Sequence, residues 1–322
     1  MSIIVTGGAG FIGSCVVKML NDYGLTDIII VDNISSTEKW KNISNKKYIE
    51  YINRDNFLNR LNEFKGEVSH IIHMGACSST TEKNFDYLYI NNFEYSKRLW
   101  NFCVEEQISF IYASSAATYG DGANGFDDED DIKKLMPLNA YGYSKQLFDL
   151  WVEKQNRFPS QYVGFKFFNV YGPNEYFKGS MASVIFHAYG EICKTREKGL
   201  FKSYKANYAD GEQKRDFIYV KDICNVIKYM MENESISGLF NLGTGKARSF
   251  NELAKFTFEA MGIPINIKYI EMPEELKNKY QYYTKADMNK LRKIGYTAPF
   301  YSLEEGIKDY VQNYLMEEYR IY

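Results

Sequence analysis

The chain has no long apolar run, no paired cysteines, no strong charge imbalance and no low-complexity tract. Across its 322 residues, no stretch approaches the roughly 20 apolar residues needed to span a bilayer. The amino-terminal run IIV is too short for a signal peptide and leads straight into a glycine cluster. Cys15, Cys77, Cys103, Cys193 and Cys224 are odd in number and form no CxxC pair, which fits reduced thiols better than a disulfide framework. A net charge of -2 gives no reason to expect nucleic acid or an anionic membrane as partner. A soluble, cytoplasmic protein is the expectation. No metal site is expected either. His70 and His73 lie in a run that reads as a buried strand, where residues three apart point to opposite faces and cannot share an ion. No other His, Cys or carboxylate cluster has ligand spacing.

What is present is ordinary in bulk and specific in pattern. The apolar fraction of 45% and the charged fraction of 25% suit a globular protein, and the length suffices for two lobes. Aromatic residues make up 16%, with 28 Tyr. They are spread along the chain, as composition bias would have them, rather than grouped as a binding surface. The opening SIIVTGGAGFIGSCVVKML runs from a β-branched strand through glycines into an apolar helical pattern. Gly8, Gly10 and Gly13 satisfy GxGxxG, and Gly7, Gly10 and Gly13 satisfy GxxGxxG. That spacing allows a tight turn, a close backbone approach to a pyrophosphate, and a helix N-terminus aimed at the anion. Asp32 ends the next strand, about twenty residues on, where a carboxylate reaches a ribose.

Further strands follow in VSHIIHMGA, ISFIYASSA and QYVGFKFFNVYG, separated by helical patterns such as NNFEYSKRLWNFCVEE. This alternation predicts an α/β fold, a Rossmann-type doubly wound parallel sheet with ligands at the carboxyl ends of its strands. No linker divides the chain, so a smaller α/β substrate-binding lobe must come from insertions and the carboxy-terminal part. Asp32 favours an unphosphorylated ribose, whereas Lys39 and Arg54 are cations able to neutralise a 2′-phosphate. The residues alone leave NAD and NADP open.

YASSAATYG, residues 112 to 120, closes a strand with hydroxyl side chains, and YGYSK follows with Tyr141 and Lys145 spaced i, i+4. On a helix both face one way. A phenol has a pKa near 10 and is a poor base at neutral pH. Lowering it by about three units takes about 4 kcal/mol, which a neighbouring lysine and an oxidised nicotinamide can supply. Ser115 can donate to the same substrate oxygen. Taken together, these motifs resemble those of the extended short-chain dehydrogenase/reductases. RDFIYVKD (215 to 222) and FNLGTG (240 to 245) stand where that family carries similar segments. The resemblance covers nearly the whole chain. It implies that Arg215 grips the diphosphate of a sugar nucleotide, as bidentate guanidinium recognition allows; a salt bridge to Asp216 or another acid is the plainer alternative. It also implies a dinucleotide-binding domain of residues 1–167 plus 214–242, and a substrate domain of 168–213 plus 243–322.

Within the family, VTGGAGFIGS, HMGACSSTTE, FNVYGPNE and above all KGSMASVIFH resemble the branch that epimerises an ADP-heptose at C6. That branch uses NADP. The resemblance therefore assigns cofactor contacts to Gly10, Phe11, Ile12, Asp32, Asn33, Lys39, Arg54, Met74, Gly75, Ala76, Cys77, Ser78, Asn91, Lys145, Val170 and Lys178. The sequence departs from the branch in two places: NISSTEK lacks the glycine often found after Asp32, and Arg54 stands where a lysine is usual. For the sugar nucleotide the resemblance implies Ser115, Asn169, Ser180, His187, Phe201, Lys202, Ser203, Tyr204, Arg215 and Tyr280. A homo-oligomer, a pentamer in particular, is implied as well.

The remaining question is Lys178, which precedes Gly179 and Ser180, the latter a candidate N-cap. The C6 proton is not acidified by a carbonyl, so inversion goes by oxidation to a ketone and reduction on the other face. The hydroxyl points in different directions in the two epimers, and one base reaches both only if the sugar turns. Two bases solve this. The resemblance implies Tyr141 and Lys178 as the pair; a structural lysine is the alternative. Other epimerases and the dehydratases of the family are the nearest rivals. A dehydratase carries an Asp-Glu pair where this chain has Ala116 and Ala117. A regulator that only senses the cofactor tends to lose the Tyr or Lys of YxxxK, and both are intact here.

Overall fold

The computed structural model describes residues 1–277 and 280–322. Its strands are β1 (Ser2–Thr6), β2 (Ile28–Asp32), β3 (Glu50–Asn53), β4 (Val68–His73), β5 (Ser109–Ser115) and β6 (Gln161–Phe167), followed by β7 (Asn169–Tyr171), β8 (Lys198–Phe201), β9 (Lys214–Tyr219), β10 (Gly238–Leu242), β11 (Ala247–Ser249) and β12 (Ile267–Ile270). The helices that matter to the site are α1 (Phe11–Asp22), α2 (Tyr95–Glu106), α3 (Ala140–Glu153), α4 (Val184–Thr195) and α5 (Val220–Glu232).

Seven strands form one sheet in the order β10-β6-β5-β4-β1-β2-β3, with parallel pairing throughout. The expected doubly wound Rossmann-type fold is what forms. Its central strands read as unbroken apolar runs because both faces are covered. On β1, Ile3 and Val5 enter one core while Ile4 enters the other; Ile28 and Ile30 separate from Ile29 and Val31 on β2 in the same way. Strand order reverses between β1 and β4, and a ligand crevice opens at such a switch point.

A second, smaller layer is built from two short sheets, β11-β9-β7 and β12-β8. The segment QYVGFKFFNVYG, read above as one strand, divides between the layers. β6 stays in the large sheet, Phe168 N–H bonds to Leu242 O, and β7 pairs with β9. The run NNFEYSKRLWNFCVEE also departs from a plain helix: wide π-type turns over Tyr89–Glu94 lead into α2. No helix among the described residues is long and apolar enough to cross a membrane.

Candidate active site

The glycine loop between β1 and α1 is packed too closely for side chains. A Cβ on Gly13 would come within 2.1 Å of Gly7 O, and Gly7 itself has φ +67. α1 has Gly10 at its N-cap, with no side-chain cap and no acidic residue in its first turn. Its first amide groups are therefore available to an anion. Asp32 is nearly buried and holds this loop from below: Oδ2 accepts from Ala9 N at 2.9 Å, and Oδ1 accepts from Asn33 N at 2.7 Å and Lys39 Nζ at 2.8 Å. Lys39 thus neutralises a carboxylate that would otherwise repel a phosphate. Arg54 ion-pairs with Asp55 at 3.2 Å. These features fit a nicotinamide dinucleotide on structural grounds.

The loop opens into a cavity of about 630 Å³. All sixteen residues assigned above to the cofactor line it, and so do Tyr141, Ser115 and Asn169. Asn92, which the sequence reading passed over for its neighbour Asn91, ties three pieces of the wall together. Its Oδ1 accepts from Cys77 N at 2.8 Å, and its Nδ2 donates to Cys77 O at 3.0 Å and to Ser144 Oγ at 2.9 Å. The π-type turns carry it inward to do so.

Tyr141 and Lys145 lie one turn apart on α3, which Asn139 caps by accepting from Gly142 N. Lys145 Nζ donates to Ala113 O at 2.8 Å, which fixes the cation beside the end of β5. Ser115 Oγ accepts from Ala117 N at 3.1 Å and so keeps its hydroxyl hydrogen to donate. Burial pushes the Tyr141 phenol above its ordinary value, and the Ser115 hydroxyl opposes that shift. Burial pulls Lys145 down to about 8, against the charge of Asp149. His73 ends β4 between Thr6 Oγ1 at 2.6 Å and Ser96 Oγ at 2.9 Å, and burial lowers it to about 3, so it is neutral. His70 Nε2 lies 3.6 Å from Glu234 Oε1.

Lys178 enters the same cavity from the loop between β7 and α4, with Nζ 6.0 Å from the Phe11 ring centre. Burial holds it below the usual lysine value, Lys39 adds to that, and Glu175 opposes it. The cap assignment differs from the expectation. Ser183, not Ser180, caps α4 by accepting from Phe186 N. Residues Gly179–Met181 form a separate 3-10 turn without a side-chain cap, since Gly179 at φ +55 breaks the path into the helix.

Eight residues assigned to the sugar nucleotide lie outside the cavity lining. Arg215 is on β9 two positions before Phe217, which does line it, so both side chains share a face. The Arg215 guanidinium lies 5.4 Å from the Tyr280 ring centre and 5.8 Å from that of Phe250, and it donates to Lys214 O and Gln281 O. Asp216 turns the other way and accepts from Thr244, Gly245 and Ala286, so the alternative of an Arg215–Asp216 bridge does not form. Phe201 packs edge-on against Tyr280 at 6.2 Å. Lys202 pairs with Glu271, Ser203 N–H bonds to Asp210, and Tyr204 N–H bonds to Tyr282 Oη. Ser180 and His187 are exposed. Tyr282 is a member of this aromatic group that no motif announced.

The chain matches the family model described as the NAD dependent epimerase/dehydratase family over residues 3–243. It is 53% identical to the ADP-L-glycero-D-manno-heptose-6-epimerase of Fusobacterium nucleatum, with 98% of each chain covered. To the protein of that name from Nitratidesulfovibrio vulgaris it is 51% identical, with 97% of each covered. Among solved structures, the Helicobacter pylori ADP-L-glycero-D-manno-heptose-6-epimerase superposes with a TM-score of 0.80 at 29% identity, covering 97% of this chain and 95% of that one. A glycine loop fit for a dinucleotide, a helix-borne Tyr-Lys pair and near full-length similarity to these enzymes agree: the chain belongs to the NAD dependent epimerase/dehydratase family.

Proposed function

We propose that the protein interconverts ADP-D-glycero-β-D-manno-heptose and ADP-L-glycero-β-D-manno-heptose by inverting C6 of the heptose. The observation that carries this reading is the convergence of Tyr141 and Lys178, from opposite layers of the fold, on the cavity lined by the glycine loop. We take NADP to be the resident cofactor, held by the glycine loop and by Lys39 and Arg54. When bound, it supplies reversible hydride transfer, which takes the C6 carbinol to a ketone and back. Tyr141 takes the hydroxyl proton of one epimer, aided by the Lys145 cation one turn away and by the Ser115 hydroxyl. Lys178 handles the proton of the other. Its lowered proton affinity supports the role, because a lysine must be neutral for part of the cycle to accept a proton. Arg215 holds the diphosphate and Asn169 the sugar beside Val170. We further take the enzyme to be cytoplasmic and a homo-oligomer, a pentamer by resemblance.

Separable half-reactions test the two-base scheme. Tyr141→Phe and Lys178→Met should each lower epimerisation by at least about a hundredfold, the usual scale for a lost acid–base group. Each should still disproportionate an aldehyde analogue one carbon shorter, oxidising one copy and reducing another, because that analogue binds either way up. The double variant should do neither. Near-normal epimerisation by Lys178→Met would leave a single tyrosine and a turning sugar as the mechanism.

A further inference from the structure

Glu175 has no role in the scheme above, yet it is completely buried three residues before Lys178. Its carboxylate spans the loop that carries the lysine. Oε1 accepts from Ser183 Oγ at 2.7 Å and from Gly172 N at 3.3 Å, while Oε2 accepts from Ser183 N at 2.5 Å. Its own carbonyl accepts from Lys178 N at 3.0 Å. The loop is thereby closed from its first residue to the cap of α4, with Lys178 at the crest. Gly172 is constrained as well: it has φ +142, and a Cβ there would lie 2.6 Å from Val220 Cγ1. All three groups bonded to the carboxylate are donors and favour its ionised form, against burial, which raises the Glu175 carboxyl above its ordinary value.

The charges facing this pair are few. Tyr176, Tyr310 and Cys15 are the titratable groups around Glu175, and burial raises all three, so they stay neutral. Around Lys178 the other charge is Lys39, already paired with Asp32. Burial lowers the affinity of Lys178 for a proton, Lys39 adds to that, and Glu175 opposes it. Reduction of the ketone from its side needs that proton to be regained.

We propose that Glu175 is a positioning residue for epimerisation: its carboxylate clamps the 172–183 loop and, ionised by the donors it accepts from, places a negative charge in the loop that carries Lys178, so that the lysine meets the substrate able both to release and to regain a proton. The proposal rests on the reading of Lys178 as the second proton-handling group.

The test measures the proton affinity of Lys178 directly. Competitive acetylation of the holoenzyme across a pH series, read by mass spectrometry on the Lys178 peptide, gives its titration midpoint without reference to turnover. In Glu175→Gln the midpoint should fall by about one pH unit, as loss of a near opposite charge dictates. The pH limb of kcat for epimerisation should move down with it. Glu175→Asp, which keeps the charge but withdraws it by a methylene, should give an intermediate midpoint and recover part of kcat. A folded Glu175→Gln protein with the parental midpoint would overturn the proposal. Should that variant fail to fold, Glu175→Asp is decisive by itself: a lowered midpoint supports the role and an unmoved one removes it. Failure of the underlying reading looks different, since Lys178→Met would then epimerise at near-normal rate whatever the midpoints do.

Discussion

Arg215 is a buried cation that spends its hydrogen bonds on two main-chain carbonyls and its faces on Tyr280 and Phe250. Among the described residues it makes no ion pair, and burial lowers its affinity for the proton. Holding a guanidinium this way opposes folding, because desolvation is not offset by an acid. A dianionic diphosphate is the partner that would offset it. Arg215→Ala should therefore raise KM for the sugar nucleotide by about ten- to a hundredfold, the value of a charge-assisted contact of about 1.5–3 kcal/mol. Steady-state kinetics check this, and a KM within twofold of the parent would assign the arginine to the fold. Residues of this kind were legible in the sequence because a motif names them. Glu175 was not, although FNVYGPNE contains it. Its partners Gly172 and Ser183 are near in sequence, but only the folded loop turns their donors onto one carboxylate.

On α3 the spacing of Tyr141 and Lys145 was readable, since a helix repeats every 3.6 residues whatever packs against it. The support beneath them was not. One turn further on, Asp149 accepts from Ser114 Oγ at 2.6 Å and Tyr112 Oη at 3.2 Å on β5, and from Lys166 Nζ at 3.2 Å on β6. Lys166 also donates to Thr118 Oγ1 at 2.7 Å, and Thr118 in turn bonds to Ser115 O. This hub locks the helix that carries Tyr141 against the strand end that carries Ser115. Its partners stand 17 to 37 residues from Asp149, so no local pattern could reveal it. Both charges are fully buried. Asp149→Asn should lower the free energy of unfolding by about 3–5 kcal/mol, because it strands Lys166 without its counter-charge. Replacing both with apolar residues, as in Asp149→Leu with Lys166→Met, should be less damaging than the single change. Urea unfolding of the variants checks the order, and a loss under about 1 kcal/mol in Asp149→Asn would show that the hub does not hold the helix.

At the scale of the whole molecule, the cavity belongs to neither layer alone. The large sheet contributes the glycine loop, Ser115 and, through α3, Tyr141; the smaller layer contributes Asn169, Lys178 and Phe217. The chain passes between them more than once: β7 and β9 pair in the small sheet, while β10 returns to the edge of the large one. The alternation of strand and helix made the first layer legible, whereas short strands such as Asn169–Tyr171 and Ala247–Ser249 carry no periodic signal and become strands only through their partners. A ligand that fills such a cavity stabilises the whole cooperative unit by mass action, about 2.7 kcal/mol at a hundred times its Kd. Thermal unfolding with NADP and with NAD at equal concentration therefore reads cofactor choice without any assay of turnover. After removal of endogenous cofactor, the parent should be stabilised more by NADP. In the Lys39→Ala, Arg54→Ala double variant that preference should vanish through loss of the NADP shift. The NAD shift should hold or grow, because Asp32, freed of Lys39, still accepts from a ribose hydroxyl. Equal weakening of both shifts would show that the two cations serve the loop around Asp32 and not a 2′-phosphate.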